Sequence, residues 1–335
     1  MSGQVTYDVY RGAEGETPVL KTITTELRPN DVFLEMTHSG LCGTDLHYRH
    51  ADITLGHEGV GIVKQVGSAV KDLKVGDIAG FGYIREVCGN CMECLTGWDQ
   101  YCSQAVSYGN AGFDIGSFAS GAVLDARCVF KIPDEIDPAD AAPLMCGGAT
   151  VWTVLDQYGI KSTDRVGIMG IGGLGHIAIK MAAAMGCHVV VLSSSESKRQ
   201  EAMEFGAQEF HVLRRGEKFE DKMEPINHLL LCGNAQIDFD AVLPLMAANS
   251  ALYPLAVDFN PSKVVLFQLV LKGIRIQGSV VVSTTEMRKM LKFCALHKIT
   301  PQIEKFPLNE TGMTDAMARL VKGNVRYRAV LVAQN

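Results

Sequence analysis

The sequence lacks the features that mark membrane-spanning, secreted and nucleic-acid-binding proteins. No apolar run approaches the ~18 residues that cross a bilayer. The opening residues, MSGQVTYD, contain no basic segment followed by an apolar stretch, as a signal peptide would. Acidic side chains outnumber basic ones by 37 to 31, and a net charge of −6 does not suit a surface that neutralises nucleic-acid phosphates. We therefore expect a cytoplasmic protein that binds neither a membrane nor a nucleic acid.

Charged residues make up only 20% of the 335 residues, whereas hydrophobic residues make up 47%, as in globular proteins with buried cores. This length suggests about two domains. Up to residue 147, short segments with alternating polar and apolar side chains are bounded by glycines, for example residues 31–38 and 61–67. Such segments predict an antiparallel, barrel-like domain.

From residue 148 the pattern changes to strands that alternate with helices. Residues 165–169 predict a strand, 176–185 a helix and 188–192 a second strand. Further strands are predicted at 210–212, 228–231, 252–256 and 273–277, and after them a helix at 286–297 and a last strand at 327–332. This alternation indicates an α/β fold with a parallel sheet covered on both faces.

Of the ten cysteines, four fall within fifteen residues: Cys88, Cys91, Cys94 and Cys102. Close spacing lets four thiolates converge on one ion, and four sulfurs suit a tetrahedral, closed, structural zinc site. An iron–sulfur cluster is the competing metal interpretation, and unliganded thiols are the other alternative. The clustered ferredoxin pattern has a shorter last gap followed by proline, which disfavours the cluster.

A glycine-rich turn of the form GxGxxG follows the predicted strand at 165–169 and opens the next helix. Its members are Gly170, Gly172, Gly173, Leu174 and Gly175. In this context the motif predicts a dinucleotide site, where the backbone and the helix N-terminus approach a pyrophosphate. The alternative is an ordinary turn.

The end of the second predicted strand indicates which dinucleotide binds. A carboxylate there would accept hydrogen bonds from a ribose 2′-hydroxyl, but this chain has Ser193, Ser194 and Ser195, followed by Lys198 and Arg199. Hydroxyls and cations suit a 2′-phosphate, so the sequence favours NADP(H). A solvated, serine-rich loop is the alternative.

Three metal-binding side chains lie far apart in sequence and beside small residues. Cys42 opens the segment CGTDLH, His57 lies in GHEGVG, and Cys146 lies in LMCG. Two thiolates and one imidazole can form a catalytic zinc site that keeps a fourth position open. A cysteine alone would more commonly be a small core residue.

These motifs, in this order, resemble those of the zinc-dependent medium-chain dehydrogenases, and within them the cinnamyl-alcohol-dehydrogenase-like branch. The resemblance covers nearly the whole chain, including the final segment RYRAVLV at residues 326–332. It implies a GroES-like β-barrel catalytic domain at residues 1–147 and 278–335, with the four-cysteine lobe at 88–102. It also implies a doubly wound, six-stranded parallel Rossmann sheet at 148–277, and a homodimer joined through the cofactor domains.

The resemblance further implies two zinc ions per chain. Cys42, His57 and Cys146 would ligate the catalytic ion. Asp45 would orient His57 from behind, and Glu58 would approach the metal when ligands exchange. The ion would act as a Lewis acid that polarises an aldehyde or acidifies an alcohol.

For the proton and the cofactor, the resemblance implies further roles. Thr44 would pass a proton from the substrate hydroxyl, through the cofactor ribose, towards His47. Ser279 would lie near the nicotinamide, and Arg328 near the pyrophosphate. The serines and the lysine named above would hold the 2′-phosphate.

The implied activity is that of an NADP(H)-linked alcohol dehydrogenase or aldehyde reductase, with hydride transfer at nicotinamide C4. One alternative is an NADPH-dependent reductase of an activated C=C or C=N bond on the same fold. The other is a zinc-stabilised NADPH-binding protein without catalysis. The interval 46–55 is shorter than in most of the family, and residues 105–108 lack the pocket tryptophan of its plant members; both departures affect the expected substrate pocket.

Overall fold

The computed structural model describes residues 3–15, 17–213, 223–233 and 237–334. The chain forms two compact units, one of Met1–Ala149 with Val281–Asn335 and the other of Thr150–Val280. We call them unit 1 and unit 2. The predicted domain boundaries at 147/148 and 277/278 lie two to three residues from these limits. No helix in the described ranges has the length and apolar character needed to span a bilayer.

Unit 1 is built mainly from short strands, as the alternating sequence predicts. They are β1 (Gln4–Arg11), β2 (Val19–Glu26), β3 (Asp31–Leu41), β4 (Gly59–Val66), β5 (Ile78–Phe81), β6 (Ile84–Glu86), β7 (Val106–Ser107), β8 (Gly121–Asp125), β9 (Phe130–Lys131), β16 (Ile303–Pro307) and β17 (Arg328–Val332). The main sheet has the order β16-β17-β3-β4-β5-β9, and β8 also pairs with β3. β1 pairs with β2, and β6 with β7, as separate antiparallel ribbons.

Strand β3 is the centre of unit 1 and leads directly into the site. Its alternate residues Val32, Leu34 and Met36 are fully buried in the barrel core. Because side chains alternate across a strand, this pattern fixes which face of β3 is apolar. β3 ends at Leu41, so the next residue, Cys42, lies where the strand passes into a helix.

The helices of unit 1 are α1 (Gly43–Tyr48), α2 (Met92–Leu95), α3 (Pro138–Pro143), α9 (Thr284–His297) and α10 (Glu310–Val321). Asp137 begins α3, since its side chain accepts a hydrogen bond from the backbone N–H of Ala139. A π-helical turn, Leu144–Gly148, follows α3 and carries Cys146. Such wide turns are rare and frequently occur at functional sites.

Unit 2 contains one six-stranded sheet in which all strands are parallel. Its strands are β10 (Arg165–Met169), β11 (His188–Ser193), β12 (Glu209–Val212), β13 (Ile226–Leu231), β14 (Met246–Pro254) and β15 (Arg275–Ile276). They lie in the order β12-β11-β10-β13-β14-β15, and the order therefore reverses between β10 and β13. This is the doubly wound arrangement that the sequence predicts, with a switch point at the end of β10.

The helices of unit 2 are α4 (Ala149–Gln157), α5 (Gly175–Ala184), α6 (Arg199–Glu204), α7 (Phe239–Val242) and α8 (Leu266–Lys272). The largest differences from the predicted strand limits occur in β14 and β15. β14 begins six residues earlier than predicted, because Met246 already pairs with Ile226 of β13; a register shift follows, and Asn249 within it takes a positive φ of 57°. β15 does not include Gly273, which adopts a left-handed conformation and ends α8.

Candidate active site

Four possible metal ligands from three separate segments meet inside unit 1. Their ligand atoms, on Cys42, His57, Glu58 and Cys146, all lie within 4.8 Å of one another. Cys42 precedes α1, His57 and Glu58 precede β4, and Cys146 lies in the π turn. His57 and Glu58 are fully buried and Cys146 is buried. The structure therefore brings together the three ligands that the sequence analysis selected, together with Glu58.

His57 is oriented so that only one ring nitrogen is available. Its Nδ1 lies 2.8 Å from Asp45 Oδ1, and Asp45 is itself fully buried. The second carboxylate oxygen accepts a hydrogen bond from the Cys42 backbone N–H at 2.8 Å. His57 Nε2 is buried and has no hydrogen-bond partner among the described residues. A buried, unpartnered imidazole nitrogen beside two sulfurs fits a zinc ion.

The electrostatics of the site favour a metal-binding thiolate. A hydrogen bond with Cys146 lowers the pKa of Cys42 well below its ordinary value, against the opposing effect of burial. The thiolate is the form of cysteine that binds metals. Burial raises the pKa of Glu58 to about 7, although the neighbouring Arg328 opposes this shift.

Glu58 is held by a buried ion pair. The Arg328 guanidinium donates to both carboxylate oxygens of Glu58, and the two side chains are 6% and 0% exposed. Arg328 begins β17, which pairs with β3 next to the site. The role towards a pyrophosphate that the resemblance implies for Arg328 stays a prediction, and the contact that the structure shows is the one to Glu58.

The two residues of the expected proton relay lie on helix α1. Thr44 is half-buried, with its Oγ1 3.7 Å from Cys42 Sγ. His47 is exposed, and it lies three residues further along the same helix. Residues three apart share one face of a helix. Thr44 and His47 therefore lie on one face of α1, and the proton relay that joins them stays a prediction.

Three tyrosines that sequence reasoning did not select surround the ligands. The Tyr108 ring stacks on His57, with centroids 4.7 Å apart and planes at 27°. Tyr83 meets His57 edge-on at 6.1 Å, and Tyr48 meets Tyr108 edge-on at 5.1 Å. These residues lie in no recognisable motif, and they reach the site only because β6, β7 and α1 converge on it.

The four-cysteine lobe forms a second cluster in unit 1. Sγ atoms of Cys88, Cys91, Cys94 and Cys102 all lie within 4.8 Å of one another. Backbone N–H groups of Asn90 and Cys91 point at Cys88 Sγ, at 3.5 and 3.3 Å. The hydrogen bond from Asn90 lowers the pKa of Cys88 to about 6. Four converging sulfurs fit a closed zinc site, which stabilises the loop and leaves no position for a reactant.

The glycine turn of unit 2 connects β10 to α5, as its motif requires. A Cβ atom at Gly172 would meet no atom within 4 Å, so the space beside this backbone is open. A Cβ atom at Gly175 would collide with the carbonyl oxygen of Gly170, which explains why the close approach of helix and strand needs glycine. Leu174 precedes the first residue of α5. The turn therefore fits a dinucleotide phosphate group.

The residues predicted to bind a 2′-phosphate lie beside this turn. Ser193 is the last residue of β11, and Ser194 and Ser195 are exposed after it. Lys198 Nζ donates to the carbonyl oxygen of Ile171 in the glycine turn at 2.7 Å. The lysine is thus held close to the end of β10, and the serine hydroxyls follow the neighbouring strand.

Ser279 lies three residues beyond β15 and is half-buried. Its Oγ is shielded from solvent without a hydrogen-bond partner among the described residues. A buried hydroxyl without a partner is costly in the absence of a ligand. Its predicted position near the nicotinamide stays a prediction.

Comparison with known proteins agrees with this geometry. The family model named "Alcohol dehydrogenase GroES-like domain" matches residues 28–134, and the one named "Zinc-binding dehydrogenase" matches residues 173–295. The chain is 35% identical to "Probable cinnamyl alcohol dehydrogenase 2" of Picea abies, over 90% of this chain and 88% of that one. The chain belongs to the zinc-dependent medium-chain dehydrogenases.

Two further comparisons place this dehydrogenase in the cinnamyl-alcohol-dehydrogenase-like branch. It is 31% identical to "NADP-dependent alcohol dehydrogenase C 1" of Mycolicibacterium smegmatis, over 97% of both chains. A solved cinnamyl alcohol dehydrogenase from Sorghum bicolor superimposes with a TM-score of 0.91 at 28% identity and covers 98% of both chains. The predicted family and fold class, a GroES-like domain with a Rossmann-type domain, are therefore confirmed.

Proposed function

We propose that this dehydrogenase is an NADP(H)-linked alcohol dehydrogenase that also works as an aldehyde reductase. The observation that carries the proposal is the convergence of Cys42, His57 and Cys146, with one imidazole nitrogen unpartnered. These residues would hold a zinc ion that, when bound, supplies Lewis acidity to a substrate oxygen. The cofactor held at the glycine turn of unit 2 would supply or accept the hydride.

The side chains around the three ligands orient His57, transfer the proton and balance the charge of Glu58. Asp45 fixes the tautomer and the orientation of His57 through its 2.8 Å hydrogen bond. Thr44 exchanges a proton with the substrate oxygen and passes it, through the cofactor ribose, towards His47. Arg328 balances the charge of Glu58, so that a buried carboxylate is tolerated next to the ligands.

Removal of the Thr44 hydroxyl tests carbonyl chemistry against reduction of a C=C or C=N bond. We expect Thr44→Ala to lower kcat for aldehydes by about 10²-fold or more, the usual range for a lost proton-transfer group, and Thr44→Ser to retain most activity. A panel of aromatic and aliphatic aldehydes, and of activated alkenes, is assayed with NADPH. Unchanged aldehyde turnover in Thr44→Ala would contradict the relay, and no turnover of any compound by the wild type would favour a binding-only protein.

Preference for NADP(H) is supported by Ser193 and Lys198 beside the glycine turn, and by the cofactor named for the M. smegmatis relative. We expect kcat/KM to be much higher with NADPH than with NADH. Lys198→Ala should remove most of that preference, because it removes a cation from the 2′-phosphate site. Lys161→Ala is the matched control, since Lys161 is an exposed lysine of unit 2 that precedes β10, whereas the glycine turn follows that strand. Equal values for the two cofactors in the wild type would refute this part of the proposal.

We also propose a homodimer joined through unit 2. Strand β15 lies at the edge of the sheet, and the preceding helix α8 exposes Leu266, Val270 and Leu271 to 71%, 73% and 68%. An apolar face beside an open strand edge favours association. Sedimentation should show a dimer that Val270→Glu dissociates, whereas a monomeric wild type would contradict the proposal.

A reducing, cytoplasmic location suits the ten free cysteines.

A further inference from the structure

Arg85 is a buried charge that the proposed chemistry does not use. It lies in the middle of β6, is 1% exposed, and is the largest fully buried side chain among the described residues. Burial lowers the pKa of Arg85 to about 10, so its guanidinium is still charged at neutral pH. No carboxylate among the described residues forms an ion pair with it. A charge in this position costs stability unless its surroundings compensate.

The guanidinium is compensated by backbone carbonyls and by an aromatic face. Its Nη2 donates to the carbonyl oxygen of Gly56 and its Nη1 to that of Gly112, each at 3.3 Å. Its Cζ lies 4.8 Å from the centre of the Tyr108 ring, within the range of a cation–π interaction. Nε has no partner among the described residues. Two of these three contacts lead directly to the metal ligands.

Tyr108 completes a closed set of contacts around the residue that precedes His57. The Gly56 backbone N–H donates to the Tyr108 hydroxyl at 3.2 Å, while the Gly56 carbonyl accepts from Arg85. Tyr108 makes a second contact through its ring, which stacks on His57. Gly56 itself takes a φ of +87°, and a Cβ atom there would collide with Phe118 and Ser117. Gly56, the residue before His57, is therefore held at both its backbone N–H and its carbonyl group.

These contacts fix what the hydrogen bond to Asp45 leaves free. One bond at Nδ1 sets the tautomer and one direction of the ring, but it permits tilting of the ring about that bond. The stacked Tyr108 ring removes the tilt, and the hydrogen bonds at Gly56 fix the backbone from which the His57 side chain extends. Without Arg85, the Gly56 carbonyl would keep only the Ser117 backbone N–H, at 3.0 Å, as a donor, and Tyr108 would lose the cation over its ring.

We propose that Arg85 and Tyr108 are positioning residues that hold His57 Nε2 towards the point shared by Cys42 and Cys146. The inference rests on the proposed metal centre, since it concerns the geometry of one of its ligands. Arg85 and Tyr108 act through His57 and are not metal ligands themselves. Arg85 also places a positive charge near Asp45, which keeps that carboxylate compatible with a buried site.

The test measures metal affinity and ligand geometry in Arg85→Met, Arg85→Lys and Tyr108→Phe. Full-length protein is dialysed against graded, buffered Zn²⁺, and metal per chain is counted. Replacement of the more weakly held zinc by Co²⁺ then gives a visible spectrum that reports ligand geometry. We expect Arg85→Met to lower the zinc affinity of the site at Cys42, His57 and Cys146 by about 10- to 100-fold. This is the range for lost supporting contacts of a ligating histidine. Its cobalt bands should also shift.

The other variants separate the contacts. Arg85→Lys keeps the charge but cannot donate in two directions from a planar group, so it should restore only part of the affinity. Tyr108→Phe keeps the ring stack and loses one hydrogen bond, so its loss should be smaller than that of Arg85→Met. In all three variants KM for NADPH should stay unchanged while kcat falls, because the glycine turn and the 2′-phosphate residues lie in unit 2 and Arg85 and Tyr108 lie in unit 1.

Arg11→Met is the matched control for general destabilisation. Arg11 is a buried arginine of unit 1 that pairs with Asp52 and Asp114, neither of which is a proposed metal ligand. It should lower the unfolding temperature without changing metal affinity or the cobalt spectrum. The proposal is overturned if Arg85→Met and Tyr108→Phe bind metal as the wild type does, or if Arg11→Met weakens binding equally. If Arg85→Met does not fold, Tyr108→Phe alone decides. A wild type that binds only one metal per chain refutes the proposed function itself.

Discussion

Replacement of Arg328 by methionine should destabilise unit 1 more than any exposed ion pair would. Arg328 donates to both oxygens of Glu58, and the two side chains are 6% and 0% exposed. Methionine fills much of the volume but leaves the carboxylate buried without its partner. Breaking a buried pair from one side costs about 3–5 kcal/mol, because the remaining carboxylate is either an uncompensated charge or must take up a proton.

The expected size can be converted into a change in melting temperature. For a unit of about 200 residues, 1 kcal/mol corresponds to about 2–4 °C, so Arg328→Met should melt about 6–20 °C below the wild type. The double variant Glu58→Gln with Arg328→Met removes the charge as well as its partner. It should therefore be more stable than Arg328→Met alone, although it carries one more substitution.

Thermal unfolding of zinc-loaded protein without cofactor, followed by circular dichroism, measures these differences. Lys64→Met is the matched control in the same unit, since Lys64 and Glu35 form a pair with 43% and 51% exposed side chains. It should change stability by less than about 1 kcal/mol. A melting temperature of Arg328→Met close to that of Lys64→Met would refute the reasoning, as would a double variant less stable than the single one.

Three further predictions concern other parts of the molecule. Asp45→Asn should weaken zinc binding at His57 by about 10- to 100-fold, measured by dialysis against buffered zinc, and unchanged affinity would contradict the orienting role. The hydrogen bond from Arg165 is the largest cause that lowers the pKa of Glu209 from 4.5 to about 2, and burial opposes it. The interaction therefore stabilises unit 2 above about pH 4.5, and this stabilisation is lost as the pH falls towards 2. Glu209→Gln should thus lower stability by about 1 kcal/mol at pH 7 and by less at pH 3, and an equal loss at both would contradict this. Cys102→Ser should abolish the lobe metal and lower the melting temperature, and a full metal content would count against a four-sulfur site.

Much of the fold follows from local patterns in the sequence. Strands β10, β11 and β13 are short, apolar and separated by helical segments, so the parallel sheet could be predicted without any long-range information. Strand β14 could not be predicted in full, since its first six residues, MAANSA, include no β-branched or aromatic residue. Pairing with β13 makes that segment a strand despite the positive φ at Asn249, and this pairing is not visible in the local sequence.

The candidate site shows the same division. Cys42, His57 and Cys146 could be selected because metal ligands beside small residues form recognisable segments. Arg85 and Tyr108 could not, because a buried arginine and a tyrosine in a loop carry no spacing signal. Their position next to His57 depends on how β6 and β7 pack in the folded protein, and that packing is set by tertiary contacts. The pairing of Arg328 with Glu58 joins residues 270 positions apart and is likewise invisible in the sequence.

The metal content of carefully purified protein tests the central claim most directly. We expect two zinc ions per chain in the wild type and one in Cys146→Ser. The Cys146→Ser variant should also lose aldehyde reduction, while the melting temperature of its four-cysteine lobe stays almost unchanged. A wild type that holds one zinc ion per chain, and a Cys146→Ser variant that still reduces aldehydes, would contradict it.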